Sequence, residues 1–253
     1  MSDPRTPPAW LVPEPYAETD LGVLKTGKEA QVSLVERGGP AGRCLLARKL
    51  YLPREVSQKG VLEAMGVQRS SQFRHDVTYR EGRQFRKSRD RRAVERMSTH
   101  GKALLQERWT NHEHDVMRVL WDADVRVPFP VQFADDRFDM EYIGDLAGAA
   151  PTLARLRPRG SLLETMWDQL VGNLQRMVAA GYAHGDLSAY NLLWWVDELW
   201  LIDFPQAVDI AANPMGLEFL HRDVANIAAW FARQGLQRDP DELFSLLLGE
   251  LTW

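Results

Sequence analysis

The chain has 253 residues, 45% of them hydrophobic, enough to bury one large core or two lobes around a cleft, which excludes a disordered or fibrous protein. A formal net charge of −4 with 26% charged residues is unlike that of a general nucleic-acid coat, so any basic surface must be local. The single cysteine, Cys44, rules out an internal disulfide and a cysteine-based zinc cluster; no run reaches the ~20 apolar residues of a membrane span, and MSDPRTPPAW has no signal-peptide core, so the expected location is the cytoplasm.

Residues 1–20 hold five prolines and little periodicity, which predicts an extended lead-in. LGVLKTGKEAQVSLVERGG then reads as a strand, a glycine-containing turn and a second strand, and CLLARKLYL as a third. Residues 69–108 carry 12 Arg or Lys against 5 Asp or Glu, which is either a solvated face or a basic arm that touches RNA or an acidic partner. A helix is expected over about 109–121, with Trp109, Val116, Val119 and Leu120 as its apolar stripe. His112 and His114, two apart on that helix, face different sides and read as surface residues rather than joint metal ligands.

VRVPFPVQFADDRFDMEYIG predicts two short strands joined at Ala134-Asp135-Asp136. The stretch from Gly144 to Pro151 reads as a linker. A mostly helical half follows: a long helix in SLLETMWDQLVGNLQRMVAAGY, two more in EFLHRDVANIAAWFARQG and PDELFSLLLGELTW, and two β-like segments, NLLWWV and LWLIDF, between them.

The chemistry concentrates in His184-Gly185-Asp186-Leu187-Ser188-Ala189-Tyr190-Asn191 and in Asp203, twelve residues beyond Asn191 at the end of an apolar strand. Phosphoryl transfer needs an acceptor that orients the attacking oxygen, which suits Asp186, and hard oxygen ligands for Mg²⁺, which suit Asn191 and Asp203. It also needs a cation on the phosphates. The basic residues are 25 Arg and only 6 Lys, and Lys49 ends an apolar strand where such a cation belongs; Glu113, on the next helix, is the carboxylate to hold it. His221-Arg222-Asp223 spells a kinase catalytic-loop tripeptide, but it sits inside a helical pattern with Ala228 where an Asn is needed, so Arg222 or Asp223 is expected to brace the catalytic loop instead.

Lys25-Thr26-Gly27-Lys28-Glu29-Ala30-Gln31-Val32 resembles the phosphate loop of the RIO family of atypical serine/threonine kinases, usually written Ser-Thr-Gly-Lys-Glu-Ala-x-Val. Lys49, Glu113, MEYIG, HGDLSAYN, LIDFPQAVD and NPMGLEFLHRDVAN follow in the family's order, so the resemblance covers nearly all of the chain after residue 20. It implies an α+β, two-lobed protein-kinase-like fold, with an antiparallel-sheet lobe over 21–143 and a mostly helical lobe over 144–253. ATP would lie in the cleft, with Thr26, Gly27, Lys28 and Val32 near it, Lys49 on the α/β-phosphate side, and Met140, Glu141 and Ile143 on the adenine edge. By the same resemblance Asp186 is the catalytic Asp, Asn191 and Asp203 bind Mg²⁺ or, in its place, Mn²⁺, and Asp203 doubles as a transient phosphoryl acceptor.

The chain departs from the family's pattern at Lys25, where Ser is usual and a cation is added, at Arg48, where an aliphatic residue is usual, and at Phe204-Pro205. Twenty residues leave no room for the N-terminal winged helix of one subgroup, and the 50 residues after Asp203 leave none for the usual peptide-docking platform. The resemblance therefore implies autophosphorylation, ATP hydrolysis or action on one macromolecular partner, with ribosome maturation and contact with ribosomal RNA or a pre-ribosomal particle as the family's theme. A small-molecule phosphotransferase of the aminoglycoside or choline kinase type and a nucleotide-binding pseudokinase are the alternatives.

Overall fold

The computed structural model describes residues 6–27, 30–51, 112–134 and 137–251. Strands β1 (Ala17–Thr26), β2 (Ala30–Gly39) and β3 (Gly42–Tyr51) form an antiparallel meander, and β4 (Pro130–Ala134) and β5 (Arg137–Glu141) complete a five-stranded sheet of order β1-β2-β3-β5-β4. The basic segment at 69–108, Trp109, Lys28 and the turn residues Asp135 and Asp136 lie outside the described residues.

Side chains alternate along a strand, and cross-strand partners share a face, so the register sorts the sheet into two surfaces. One row runs Lys25–Val32–Lys49–Phe138 across β1, β2, β3 and β5. Helix α1, residues 112–122, covers the inner end of that face. It buries Glu113, Val116, Met117 and Leu120, the i, i+3, i+4, i+7 stripe of a packed helix, and the ring of His114 stands edge-on 5.6 Å from Phe138. Val119, expected in the stripe, is exposed, and Met117 takes the buried place.

The opposite face buries Val35, Cys44 and Leu46 under Val12, with Trp10, Leu11 and Tyr16 packed alongside. The predicted lead-in is therefore a cover: its apolar residues lack periodicity because they lie across a sheet instead of forming one face of an element, and β1 already begins at Ala17.

In the second lobe, Gly144 to Ala149 is a small hairpin, β6 (Gly144–Asp145) with β7 (Gly148–Ala149), where a linker was expected. A side chain at Gly144 would put its Cβ 2.5 Å from Gly148 O at φ +146, so this close crossing requires glycine. Helices α2 (Ser161–Ala179), α3 (Gly216–Gln234) and α4 (Pro240–Leu248) match the three predicted helices. Between α2 and α3 lie β8 (Tyr182–Ala183), the hairpin β9 (Leu192–Trp195) and β10 (Glu198–Leu201), and β11 (Val208–Asp209), which pairs with β8. Leu170, Leu174 and Met177 of α2 and Ile227 and Phe231 of α3 pack in one core that continues to Val116, Met117 and Phe138, joining the two lobes behind the cleft.

Candidate active site

The spacing from Asn191 to Asp203 is set by the ten-residue β9–β10 hairpin, with Ile202 after it. Leu192 pairs with Leu201, so the strand ends bring Asn191 beside Ile202, whose N–H donates to Asn191 O at 3.0 Å. Val196 and Asp197 both take positive φ, the two-residue turn whose twist suits a hairpin. Asp203 follows at φ 71, a left-handed conformation uncommon outside glycine, Asn and Asp that turns the chain out of the strand at the metal-ligand candidate.

The loop bearing Asp186 is locked to its surroundings at several points. Both oxygens of Asp223 on α3 accept loop amides, Gly185 N at 2.7 Å and Leu187 N at 3.0 Å, while Arg222 donates to Gly185 O. The expectation that Arg222 or Asp223 braces this loop is met by both. Gly185 has φ +80, and a Cβ there would lie 2.1 Å from Gln206 O, so only glycine lets the loops bearing Asp186 and Asp203 approach this closely. Buried His184 donates from Nε2 to Ile202 O at 3.1 Å, with its ring centroid 4.8 Å from that of Phe204.

Lys49 is the junction of the two lobes. Its ammonium donates to Glu113 Oε1 and Oε2 at 2.9 and 2.8 Å and to Asp203 Oδ1 at 3.0 Å. Glu113 is 1% exposed and also accepts from the Tyr51 hydroxyl and, at 3.3 Å, from Phe204 N. Four hydrogen bonds from three groups on one buried carboxylate satisfy a charge that would otherwise be costly to bury. Burial works to lower the Lys49 pKa, but Glu113 and Asp203 together leave it above the usual lysine value, so the ammonium stays charged.

The two aspartates diverge. Burial raises the Asp186 carboxyl above its usual range, opposed by His184 and reinforced by the charge of Asp203. Burial also works upward on Asp203, but the charge and hydrogen bond of Lys49, with His184 and Lys25 adding to them, hold it below the usual value. Asp203 is thus the more firmly ionised of the pair, as suits a cation ligand, and Asp186 the better disposed to take a proton. Asn191 donates from Nδ2 to Asp186 O at 2.9 Å, which orients the amide and leaves its oxygen available. One amide oxygen and one ionised carboxylate form a hard donor set of the kind Mg²⁺ takes when phosphates and waters complete its shell. Among the described residues no cluster of three His, Cys, Asp or Glu side chains suits a metal.

At the residues expected on the adenine edge, Glu141 N donates to Phe129 O at 2.9 Å, and Ala150 N donates to Ile143 O at 2.9 Å. The Glu141 side chain points away from the cleft face and accepts from Phe129 N at 3.0 Å; burial pushes its carboxyl up to about 7 against that bond. Glu141 can therefore meet a base only through its backbone. Met140 and Ile143 stand beside it, Met140 in the row of Ala47 on the cleft face. Val32 lies between Lys25 and Lys49, whereas Thr26 pairs with Gln31 on the other face, and Gly27 N closes the loop onto Ala30 O at 2.9 Å.

Sequence reasoning gave no role to Tyr51, or to His184 within its motif. Tyr51 was accessible in principle, since it lies two residues from Lys49 on the same strand face. The two histidines of α1 are half-buried rather than surface residues: His112 donates from Nε2 to Ala207 O at 2.8 Å, and His114 packs against Phe133 and Phe138.

A family model described as the RIO domain matches residues 70–243. The chain is 31% identical over 240 residues to the RIO-type serine/threonine-protein kinase Rio1 of Haloferax volcanii, covering 95% of this chain and 72% of that protein. It is 36% identical over 135 residues to the Rio1 of Thermoplasma acidophilum, covering 53% and 69% respectively. Among solved structures, the Rio2 kinase of Chaetomium thermophilum in its ADP/Mg²⁺-phosphoaspartate complex superposes with a TM-score of 0.61 at 18% identity, covering 92% of this chain and 62% of that one, a likeness of fold.

Proposed function

The chain belongs to the RIO domain family, and from that premise we propose that it is an ATP- and Mg²⁺-dependent serine/threonine kinase that phosphorylates itself or a protein partner, or hydrolyses ATP, at the Lys49–Asp186–Asn191–Asp203 cleft. The observation that carries this reading is the Lys49 ammonium held between Glu113 of one lobe and Asp203 of the other, next to a braced loop that presents Asp186. A small-molecule phosphotransferase is disfavoured by the similarity to RIO-type kinases along 95% of the chain, and a pseudokinase by the full set of reactive side chains.

In this reading Lys49 exchanges a carboxylate for phosphate oxygens while Glu113 keeps it aimed. Asp186 orients the attacking hydroxyl and accepts its proton, a role its raised pKa favours. Asn191 and Asp203 would hold Mg²⁺, with Mn²⁺ as a substitute; the ion supplies charge neutralisation on the phosphate oxygens. Val32, Met140 and Ile143 flank the base, and Thr26, Gly27 and Lys28 approach the phosphates. A transient phosphoryl on Asp203 is part of the proposal, in line with the phosphoaspartate described for the Chaetomium Rio2 kinase. The partner proposed is ribosomal RNA or a pre-ribosomal particle met by the basic 69–108 segment, and the location the cytoplasm; among the described residues no helix is long and apolar enough to cross a membrane.

The test is incubation with γ-labelled ATP and Mg²⁺, wild type beside Asp186→Ala, following label on protein and free phosphate together. Asp186→Ala is expected to lower turnover by about two to four orders of magnitude with ATP affinity little changed. Wild-type turnover in that variant removes Asp186 from the mechanism.

A further inference from the structure

The β1–β2 register contains an irregularity whose effect falls on one side chain. Val23 pairs with Ser33, but the next paired residue of β1 is Lys25, opposite Val32, so Leu24 is an extra residue. In unbroken pairing Leu24 would stand opposite Val32, and Lys25 opposite Gln31, pointing to the face covered by Trp10 and Val12. Because Leu24 is left unpaired, Lys25 joins the cleft-side row of Val32 and Lys49 instead, and bulges beside functional sites re-aim side chains in this way. Lys25 and Lys49 are then separated by two strand spacings, roughly 10 Å, with only Val32 between them.

The two lysines differ in what they hold. Lys49 is buried and committed to Glu113 and Asp203, so much of its charge is already matched. Lys25 is exposed, and among the described residues no carboxylate pairs with it, yet its charge is felt at Asp203 across the cleft. A triphosphate entering between them brings more negative charge than the paired Lys49 can match. Lys25 sits just before Thr26-Gly27, where β1 gives way to the phosphate loop, at the end of the cleft toward Asp203.

We propose that Lys25 is a further phosphate-binding cation of this cleft, turned inward by the bulge at Leu24 to hold the terminal phosphate of a nucleoside triphosphate. This rests on the kinase reading above and deepens it: Lys25 makes the site discriminate tri- from diphosphate, so that the spent nucleotide loses a contact when the phosphoryl group leaves.

The experiment titrates ATP and ADP, each with Mg²⁺, into wild type, Lys25→Gln and Lys25→Arg, with thermal melting of each protein alone. Lys25→Gln is expected to bind ATP about tenfold more weakly and ADP within about twofold of wild type, the loss of one charge-assisted contact, with an unchanged melting temperature. Lys25→Arg should restore ATP affinity to within about threefold. Unchanged ATP affinity in Lys25→Gln, or an equal loss for both nucleotides, overturns the role of Lys25 while leaving the kinase reading intact. A wild type that binds neither nucleotide overturns both.

Discussion

Arg48 and Lys49 stand side by side in β3, point to opposite faces of the sheet, and are each held by two carboxylates. Arg48 is gripped by Asp139 of β5, at 2.8 and 2.9 Å, and by Glu18 of β1, which also binds Arg37. All of these belong to one sheet, so the ladder forms when the sheet forms and stays. Lys49 instead joins a helix to the other lobe through Glu113 and Asp203, and in the proposed reaction one of those partners is wanted elsewhere when phosphate arrives. Equal-looking ion pairs thus serve rigidity on one face and exchange on the other, and the difference lies in whether both partners ride on the same element.

The strongest way to break that distinction is to remove each cation in turn. Lys49→Met is expected to lower turnover by about two to three orders of magnitude, as losing a preorganised charge at a transferring phosphoryl group does. Single-turnover kinetics with labelled ATP would show it. Arg48→Met should leave turnover within about threefold and instead cost about 2–3 kcal/mol of stability, because Asp139, 0% exposed, would keep only Gln132 at 2.8 Å and the more distant Arg137. Denaturant titration measures that loss. Equal turnover losses in the two variants would mean that the rear face controls the cleft, and the contrast drawn above would fall.

Legibility in the sequence follows the same division. Asp186, Asn191 and Asp203 could be placed together because a short hairpin fixes their separation and each oxygen is needed by one chemistry. Glu113 could be matched to Lys49 because it is a carboxylate on the helix that follows the lysine strand, in the order the RIO resemblance implies. The Arg48 ladder could not: Glu18 lay in a stretch read as lead-in, and nothing local says that a proline-rich segment will lie over the back of a sheet. Nor could the β6–β7 hairpin, whose two-residue strands are too short to show alternation. The bulge at Leu24 was equally hidden, since register is a property of two strands and cannot be read from either alone.

Glu141 offers a smaller and finer test, because it too sits on the rear face but is paired with a backbone amide instead of a cation. Its carboxyl is pushed by burial from 4.5 up to about 7, so between those values the folded chain holds a proton that the unfolded chain has released. Stability contributed by this group is fully present below the unfolded value and is lost as pH rises through the folded one. Glu141→Gln cannot titrate, and its amide oxygen can still accept from Phe129 N. The variant should therefore match wild type near about pH 4 and gain on it by about 2 kcal/mol near about pH 8. Melting curves of the two proteins across that range decide it. Parallel curves would show that Glu141 titrates as in the unfolded chain, with the Phe129 amide offsetting burial, and the rear face would then hold its charges by hydrogen bonds to backbone as effectively as by the Arg48 ladder.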